Sequence, residues 1–237
     1  MNLAQHKKTV TIFIPAFNEE KNIEGAVESA LNVVKTRSAD YEIIILDAFS
    51  SDKTGEIADR LASENKNIRV IHRKKWLGLG ANYMEGVRQA SMDYFVLFPG
   101  DNEISGDSLS ESLALLSETD IIIPYTMNTE VRAPHRRIIS KAFVILLNTL
   151  FNLKLRYYNG NAVYKTKVLK NLTINSQDFA YNAEILIKLI KSGHSYLETG
   201  MKIKPITNKT ALFNIRNIFG VIKTISLLFY DVNIKNR

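Results

Sequence analysis

Pairs of polar side chains follow three apolar runs of the sequence, and most of these side chains are carboxylates. Carboxylate oxygens are the ligands that hard divalent cations such as Mg²⁺ and Mn²⁺ favour. Like charges that are crowded together are costly unless a cation or a ligand compensates them. If the three runs are neighbouring strands, the pairs meet at one sheet edge and predict a site for a nucleotide and a metal. The pairs are Asn18 with Glu19, Asp47 with Asp52, and Asp101 with Glu103.

The segment DYFVLFPGDNEI, residues 93–104, carries the third of these pairs. Its apolar run, Tyr94–Phe98, is too short for an independent helix and is followed by proline and glycine, which is typical of a buried strand. Asp101 and Glu103 come next, and two carboxylates at the end of a buried strand can hold a divalent cation. A solvated turn that ends the strand is the alternative, because turns favour Asp, Asn and Gly in any case.

Apolar runs alternate with helical patterns through the first half of the chain. Apolar residues at helical spacing, such as Ile23, Val27 and Val34, predict the helices. This alternation predicts an α/β fold with a mostly parallel, Rossmann-like central sheet flanked by helices. The loops that follow its strands then lie along one edge, where ligands bind. The predicted strands are 10–15, 41–46, 68–72 and 94–98, and the predicted helices are about 23–34, 54–65 and a third after Gly78-Leu79-Gly80.

The second half of the chain lacks the regular alternation of apolar runs and helical patterns. A polar segment, Met127–Arg137, precedes an apolar helix that is predicted at 138–151. Basic residues beside such a helix can seat a protein on an anionic membrane surface. A core helix with a solvated basic start is the alternative, and the sequence leaves both open. The other predicted elements are a helix at about 108–117, strands at 120–124 and 162–164, a helix at 179–191 and a mixed apolar and polar tail at 211–230.

The composition is that of a globular protein with an anionic partner. The chain has 237 residues, of which 46% are hydrophobic, and this suffices for a real core. The absence of cysteine excludes disulfides, thiolate metal sites and a cysteine nucleophile, and it suits the cytosol. The net charge of +7 indicates a nucleotide, a phospholipid surface or nucleic acid as partner. Nucleic acid is disfavoured, because no basic and aromatic recognition motif accompanies the charge.

Two kinds of targeting segment are missing from the sequence pattern. Residues 1–9 are polar and lack the apolar core of a signal peptide. No apolar run reaches the roughly 18 residues that a membrane-spanning helix needs. We therefore expect a soluble or membrane-peripheral protein, located in the cytoplasm or on the inner membrane face.

Residue spacing argues against several other chemistries. Gly78-Leu79-Gly80 lacks the third glycine of a dinucleotide fingerprint, so a tight start to a helix is the preferred interpretation. The histidines are scattered without metal-ligand spacing, which argues against zinc. Ser50-Ser51 is interpreted as a helix cap before Thr54 rather than as a nucleophile, and no Gly-x-Ser-x-Gly elbow occurs.

Three segments, in this order, resemble family 2 glycosyltransferases with the GT-A fold. They are VTIFIPAFNEE, IIILDAFSSDKT and WLGLGANYMEGV, and the third is especially similar to dolichyl- or polyprenyl-phosphate sugar transferases. The resemblance covers Val10–Pro124 well and Arg137–Pro205 more loosely. It implies a single GT-A domain over residues 1–237. Within it, 10–124 would bind the nucleotide sugar, 125–210 would bind the acceptor, and 211–237 would form an amphipathic tail.

The resemblance also implies roles for individual residues. Pro15, Phe17 and Glu19 would line the base and ribose of the nucleotide. Lys209 falls near the position where the family often has a basic residue at the diphosphate. By the same resemblance the donor-binding residues would be Pro15, Phe17, Glu19, Asp47, Gly80, Asp101, Arg136 and Lys209.

Two motifs depart from the family pattern. The family's Asp-Asp-Gly-Ser segment retains only its first aspartate, Asp47, because Ala48 and Phe49 replace the second aspartate and the glycine. The Asp-x-Asp metal motif and the glutamine after it map onto Pro99-Gly100-Asp101 and Glu103. A divalent metal, Mg²⁺ or Mn²⁺, would then be held by Asp101, Glu103 and the diphosphate of the donor. These departures favour the alternative of a degenerate protein that binds a nucleotide sugar or a membrane surface without turnover.

The resemblance implies an inverting transfer of sugar from a nucleotide-diphosphate sugar to a polyprenyl phosphate or a glycan, as in the synthesis of cell-envelope polysaccharide. The leaving diphosphate needs a metal ion or basic side chains to stabilise its charge. A polyprenyl phosphate is already anionic and needs cations to hold it, for which Arg136 and Arg137 are candidates. Asp178 is the candidate base for a hydroxyl acceptor, with helix capping as its alternative, and the resemblance places Glu184 near the acceptor. The predicted catalytic residues are Asp101, Asp178 and Arg137.

Overall fold

A central sheet of seven strands organises the chain in the computed structural model. The structure describes residues 8–116, 118–177, 179–203 and 215–235, and for 215–219 it describes the backbone alone. The strand order across the sheet is β3-β2-β1-β4-β6-β5-β7. The strands are β1 Val10–Ala16, β2 Tyr41–Asp47, β3 Ile68–His72, β4 Tyr94–Leu97, β5 Ile121–Thr126, β6 Val163–Lys165 and β7 Tyr196–Met201.

Helices connect the strands and cover the sheet. The helices are α1 Ile23–Arg37, α2 Thr54–Glu64, α3 Leu79–Gln89, α4 Gly106–Leu113, α5 Pro134–Phe151, α6 Thr166–Lys170, α7 Tyr181–Lys191 and α8 Ile215–Tyr230. The first four strands pair in parallel, β5 pairs in parallel with β7, and β6 runs antiparallel to both β4 and β5. The mostly parallel α/β sheet predicted from the sequence is therefore confirmed.

The two faces of the sheet bury two separate apolar clusters. Val10, Ile12 and Ile14 of β1 face one cluster, whereas Phe13 faces the other, as the alternation of side chains along a strand requires. All four are fully buried. On its face Phe13 stacks against Phe95, with ring centroids 5.7 Å apart. Because both faces are covered, the polar ends of the strands are left as the exposed edge of the sheet.

Three features of the second half differ from the sequence prediction. Helix α5 begins at Pro134 rather than at residue 138, so Arg136 and Arg137 lie in its first turn instead of before it. Proline suits the first position of a helix, and this explains the earlier start. Strand β7 and helix α6 were not predicted, because Tyr196–Met201 lacks a continuous apolar run and α6 has only five residues.

Helix α5 buries little of its apolar surface. Leu147 and Phe151 are fully buried, and the ring of Phe151 lies against that of Phe229 at 6.2 Å. Other aliphatic residues of the helix face solvent, including Ile138 at 69% and Ile145 at 57% exposure. Within the described ranges, no helix is both long and apolar enough to cross a membrane.

Candidate functional site

The loops after β1 and β2 are tied together by hydrogen bonds. Asn18 has a left-handed backbone, with φ of 56°, which its short polar side chain tolerates. The Oδ1 atom of Asn18 accepts from the N–H of Ser51 at 2.9 Å, and the N–H of Asn18 donates to Oγ of Ser50 at 3.0 Å. The two serines therefore bind the neighbouring loop, and the prediction that they cap α2 was wrong.

Asp52 is the carboxylate that orders the start of α2. Its Oδ1 accepts from the N–H and the Oγ1 of Thr54, and its Oδ2 accepts from the N–H of Glu20 at 3.2 Å. Desolvation opposes ionisation of Asp52, but these hydrogen bonds outweigh it and lower the pKa of the carboxyl. Oγ1 of Thr54 in turn accepts from the N–H of Glu19 at 2.7 Å. The start of α2 therefore fixes the position of the loop that carries Glu19.

Asp47, at the end of β2, is buried and bound on both oxygens. Oδ1 accepts from the N–H of Ser50 at 3.0 Å, and Oδ2 lies 3.2 Å from Nδ1 of His72. Nε2 of His72 lies 2.9 Å from Oδ1 of Asp59. The hydrogen bond to Asp59 raises the pKa of His72, burial opposes the rise, and Asp47 adds to it. The role of Asp47 in donor binding remains a prediction.

Glu19, Asp101 and Glu103 lie close enough to influence one another, and we call them the acidic group. Burial raises the pKa of Glu19, and the charges of Asp101 and Asp52 add to the rise, against a hydrogen bond from Asn22. Burial also raises the pKa of Glu103, together with the charges of Asp101 and Glu19. The loops after β1 and β4 therefore converge, as expected for neighbouring parallel strands.

The turn after β4 is shaped by a glycine and an asparagine. A Cβ atom at Gly100 would lie 2.9 Å from the carbonyl oxygen of Pro15, so only glycine lets the two strand ends approach this closely. Asn102 has a φ of 55°, and the N–H of Glu103 donates to Oδ1 of Asp101 at 3.0 Å. This local geometry places Asp101 and Glu103 beside Pro15, which the sequence predicted at the donor.

The acidic group matches part of a metal-ligand set. In the described part of the chain, no three His, Asp or Glu side chains are arranged to hold a metal ion by themselves. Asp101 and Glu103 nevertheless supply two carboxylates whose charges already disfavour each other, which a divalent cation would relieve. The residues present therefore fit a cation that receives its other ligands from a diphosphate and water.

Aromatic side chains stand above the same edge. The rings of Phe17 and Trp76 lie 5.2 Å apart between centroids and are tilted by 59°. Both residues are about half exposed. Phe49 is also exposed and has a φ of 71°, in a backbone region that disfavours bulky residues. The family pattern has glycine at this position, and the left-handed backbone explains why.

A cavity of about 670 Å³ opens between β5 and α5. Among the described residues that line it, four are cationic, none is acidic, and the remainder are aromatic, aliphatic or hydroxyl-bearing. The guanidinium carbon of Arg156 lies 4.6 Å from the ring centroid of Tyr125, and that of Arg132 lies 5.4 Å from the centroid of Tyr157. The four cations are Arg132, Arg137, Lys141 and Arg156.

Arg132 links the cavity to the acidic group. It lines the cavity, and its charge, like that of Arg136, counteracts the raised pKa of Glu103. Its buried Nε finds no hydrogen-bond partner within the part of the chain that is described. Arg137 lines the cavity instead. The sequence analysis paired these two adjacent arginines for one phosphate. In the structure they have different surroundings, because the charge of Arg136 acts on Glu103 and Arg137 lines the cavity.

Three residues that line the cavity were not predicted from the sequence, namely Lys141, Arg156 and Tyr157. Arg137 and Lys141 are four residues apart on α5, and helical spacing would have indicated that they share a face. Arg156 and Tyr157 lie in an irregular segment, where no periodic signal was available. Cation–ring contacts that join such a segment to β5 become visible only once the fold brings them together.

Gly80 and Glu184 have clear structural roles. A Cβ at Gly80 would lie 2.0 Å from the carbonyl oxygen of Ser176, so the start of α3 packs directly on that loop. Glu184 is 2% exposed and accepts from the N–H groups of Asn175 and Ser176 and from Nζ of Lys188. Both oxygens of Glu184 thus bind the loop at 175–176, and its predicted place near an acceptor remains a prediction. Donor contact by Gly80 remains a prediction.

Two predicted site residues, Asp178 and Lys209, lie outside the described residues. Their predicted roles remain predictions.

A family model and curated relatives match this chain. The model described as "Glycosyl transferase family 2" matches residues 11–173. A dolichol-phosphate mannosyltransferase of Pyrococcus furiosus is 29% identical over 188 residues, which are 76% of this chain and 52% of the relative. An abequosyltransferase, RfbV, of Salmonella typhimurium is 32% identical over 135 residues, which are 54% of this chain and 40% of the relative. The chain thus spans about half or less of the length of these relatives.

Solved structures share the fold. The glucosyl-3-phosphoglycerate synthase of Mycobacterium tuberculosis, in complex with Mn²⁺, UDP and glucosyl-3-phosphoglycerate, matches with a TM-score of 0.72 and 18% identity, over 93% of this chain and 80% of that chain. The same protein in complex with Mg²⁺ and UDP matches with a TM-score of 0.70 and 16% identity, over 94% of this chain and 79% of that chain. These similarities confirm the GT-A fold that the sequence predicted.

Proposed function

The chain belongs to glycosyl transferase family 2, and we propose that it transfers a sugar from a nucleotide-diphosphate sugar to an anionic acceptor, with inversion and with the help of a divalent metal. One observation carries the proposal. Arg132 lines a cavity with three other cations, and its charge, together with that of Arg136, also acts on Glu103 of the acidic group at the sheet edge. A metal-bound diphosphate and a phosphate-bearing acceptor need such neighbouring sites of opposite charge.

The donor is assigned to the edge formed by β1, β2 and β4. Pro15, Phe17, Glu19, Asp47 and Gly80 would surround the nucleoside. Asp101 and Glu103 would hold Mg²⁺ or Mn²⁺ against the diphosphate, and this ion supplies charge neutralisation for the leaving group. Structures of the mycobacterial synthase contain UDP with Mn²⁺ or Mg²⁺, which supports this arrangement. Arg136 and Lys209 would add positive charge at the diphosphate.

The acceptor is assigned to the cationic cavity. Arg137, Lys141 and Arg156 would bind a phosphate, while Ile138 and Val144 provide apolar surface along the same wall. A polyprenyl phosphate combines these two chemistries, and the mannosyltransferase relative is named for a dolichol phosphate. A glycan is the other acceptor class, for which Asp178 would act as the base.

A membrane surface accounts for the exposed aliphatic face of α5. Ile138, Ile139, Ile145 and Leu146 face solvent on a helix whose first turn is basic. Such a surface suits an anionic bilayer, into which a polyprenyl acceptor would be anchored. The proposed location is the cytoplasm, on the inner membrane face. Within one GT-A domain, residues 10–124 would serve the donor, 125–210 the acceptor, and 211–237 would form an amphipathic tail.

A protein that binds without turnover is the second candidate. Pro99 replaces the first aspartate of the metal motif, and no three-ligand metal group occurs among the described residues. These observations favour weak metal binding, and with it a nucleotide-sugar or membrane-binding role alone.

Paired binding and transfer assays separate the two candidates. Calorimetric titration with UDP- and GDP-sugars, with and without Mn²⁺, measures binding, and incubation with polyprenyl phosphate in micelles measures transfer. Metal-dependent binding together with a glycosylated lipid supports the transferase. Binding without release of sugar from the nucleotide supports the second candidate. Absence of nucleotide-sugar binding under both conditions contradicts the transferase and leaves only the membrane-binding form of the second candidate.

The acceptor site has its own variant in these assays. Lys141→Ala should raise the KM for polyprenyl phosphate and leave donor binding unchanged, because Lys141 lines the cavity and is not among the residues assigned to the donor. Lys35→Ala, at an exposed position near the end of α1, is the matched control. Equal KM values for the two variants would exclude the cavity as the acceptor site.

A further inference from the structure

Two large aromatic rings meet in solvent at the donor edge, outside both core clusters. The centroids of Phe17 and Trp76 are 5.2 Å apart, and the residues are 47% and 50% exposed. Phe17 follows β1 and Trp76 follows β3, so the contact bridges the end of β2, which lies between those two strands. Paired apolar faces in water are unfavourably hydrated, and a ligand that covers them removes this cost.

A third exposed aromatic residue at this edge, Phe49, has a strained backbone conformation. Phe49 follows β2, is 56% exposed and has a φ of 71°. Glycine would adopt this conformation without penalty, whereas a bulky residue is an outlier there. The exposed ring gains little packing in return. Strained residues of this kind concentrate at ligand sites, and this one stands at the strand end that the Phe17–Trp76 contact bridges.

Asp47 supplies a polar group at the same strand end. It is buried, and among the described residues its Oδ1 accepts from the N–H of Ser50 while its Oδ2 lies 3.2 Å from the ring nitrogen of His72. A carboxylate has about four acceptor positions, so acceptor capacity remains. A nucleobase presents a flat π face together with N–H donors on its edge. The aromatic pair and the carboxylate match these two features.

We infer that Trp76, together with Phe17, forms the stacking surface for the nucleobase of the donor. The inference rests on the proposed function, because it assigns part of the donor site. It makes Trp76 the residue that distinguishes a nucleoside diphosphate from a bare diphosphate. Stacking on Trp76 contributes to ground-state affinity and leaves the chemistry of transfer to the acidic group and the cavity.

The sequence provides a direct reporter for this inference, because Trp76 is its only tryptophan. Fluorescence excited at the red edge of tryptophan absorption therefore comes from one ring. Titration with UDP and GDP in the presence of Mg²⁺ should change this emission in a saturable way, because a stacked base covers the indole. Mg²⁺ is preferred over Mn²⁺, which is paramagnetic and quenches by itself. Inorganic pyrophosphate, which has no base, should leave the emission unchanged.

Variants test whether the contact contributes to affinity. Trp76→Ala should weaken binding of the tighter of the two nucleotides about tenfold by calorimetry, with pyrophosphate affinity unchanged. Trp76→Phe retains a stacking ring and should recover most of the loss. Tyr230→Ala removes an aromatic that is 54% exposed on α8 and should have no effect. Far-ultraviolet circular dichroism and thermal unfolding confirm that each variant is folded.

The outcomes distinguish this inference from the proposed function. Nucleotide binding that leaves both the emission and the Trp76→Ala affinity unchanged overturns the inference and leaves the transferase standing. An equal emission change with pyrophosphate also overturns it, because the ring would then report something other than stacking. Absence of nucleotide binding to the wild-type chain, in calorimetry as well as fluorescence, overturns the proposed function and the inference with it.

Discussion

Two groups of ionisable side chains share one edge of the sheet and differ in how their charges are compensated. In the first, the paired group of Asp47, Asp52, Asp59 and His72, hydrogen bonds satisfy the charges, and they lower the pKa of Asp52 and raise that of His72. In the acidic group, burial and mutual repulsion raise the pKa values of Glu19 and Glu103. Neighbouring strands thus end in acids with opposite roles. The paired group holds loops in place, and the acidic group favours an added cation.

The largest expected effect is on turnover. Asp101→Ala removes the carboxylate whose charge raises the pKa values of both Glu19 and Glu103. The rate of transfer should fall about 100-fold or more, with the fold intact. The measurement is the initial rate of transfer at saturating donor, with circular dichroism as the check on folding. Glu111→Ala, an exposed acid on α4, is the matched control. Near-normal turnover of Asp101→Ala would remove Asp101 from the metal site.

The next largest effect is on stability. Asp52→Ala leaves the N–H groups of Glu20 and Thr54 without their acceptor, and we expect a loss of about 1–2 kcal/mol in the free energy of unfolding. Asp52→Asn keeps an acceptor oxygen and should lose less. Urea denaturation measures both. If the alanine and asparagine variants are equally stable, the hydrogen bonds do not account for the order of this loop.

A smaller effect on the free energy of unfolding, a gain rather than a loss, is expected for a substitution in the acidic group. The folded pKa of Glu103 lies above its ordinary value of 4.5, so its stabilising contribution is present below that pH and is lost as pH rises through the folded pKa. Glu103→Gln should therefore match the wild type at about pH 4 and be more stable at about pH 7, by at most ~1 kcal/mol because the site is partly exposed. Thermal unfolding in a chelating buffer measures this. If the variant is less stable than the wild type at neutral pH, then burial and the charges of Asp101 and Glu19 do not disfavour the ionised form of Glu103.

The smallest effect is expected at His72. Its folded pKa lies above the ordinary 6.5, so its contribution is fully present below that pH and disappears as pH rises through the folded pKa. His72→Gln should lower stability by less than ~1 kcal/mol at about pH 6, with little difference at about pH 9. His135→Gln, at an exposed position, is the control. A difference that persists at high pH would show that neutral packing, rather than the ion pairs, matters.

The sequence predicted the first half of the fold well, for a physical reason. Apolar runs such as Ile43–Leu46 are buried on both faces of a parallel sheet, and their pattern needs no tertiary information. The convergence of Glu19 and Asp101 followed from strand order alone. The opposite role of Asp52 did not follow, because an acid that caps a loop and an acid that faces a ligand have the same local sequence signal.

The second half of the chain was predicted less completely. The cavity combines β5 and α5 with the irregular segment of Arg156 and Tyr157, and no short pattern links such distant parts of the chain. The structural role of the buried Glu184 was not predicted, for a related reason. Its partners are backbone N–H groups of a loop eight and nine residues away, and these carry no side-chain signature.

The hydrogen bonds between Asn18 and Ser50-Ser51 constrain how this protein can be re-engineered. Each of the two loops that they join provides acceptors for the other, so neither can change length or be exchanged without leaving polar groups of its neighbour unsatisfied. A transplant of one loop from a relative should misfold the other. Under the proposed function, attempts to alter which sugar nucleotide is recognised would therefore have to graft both segments as a single unit.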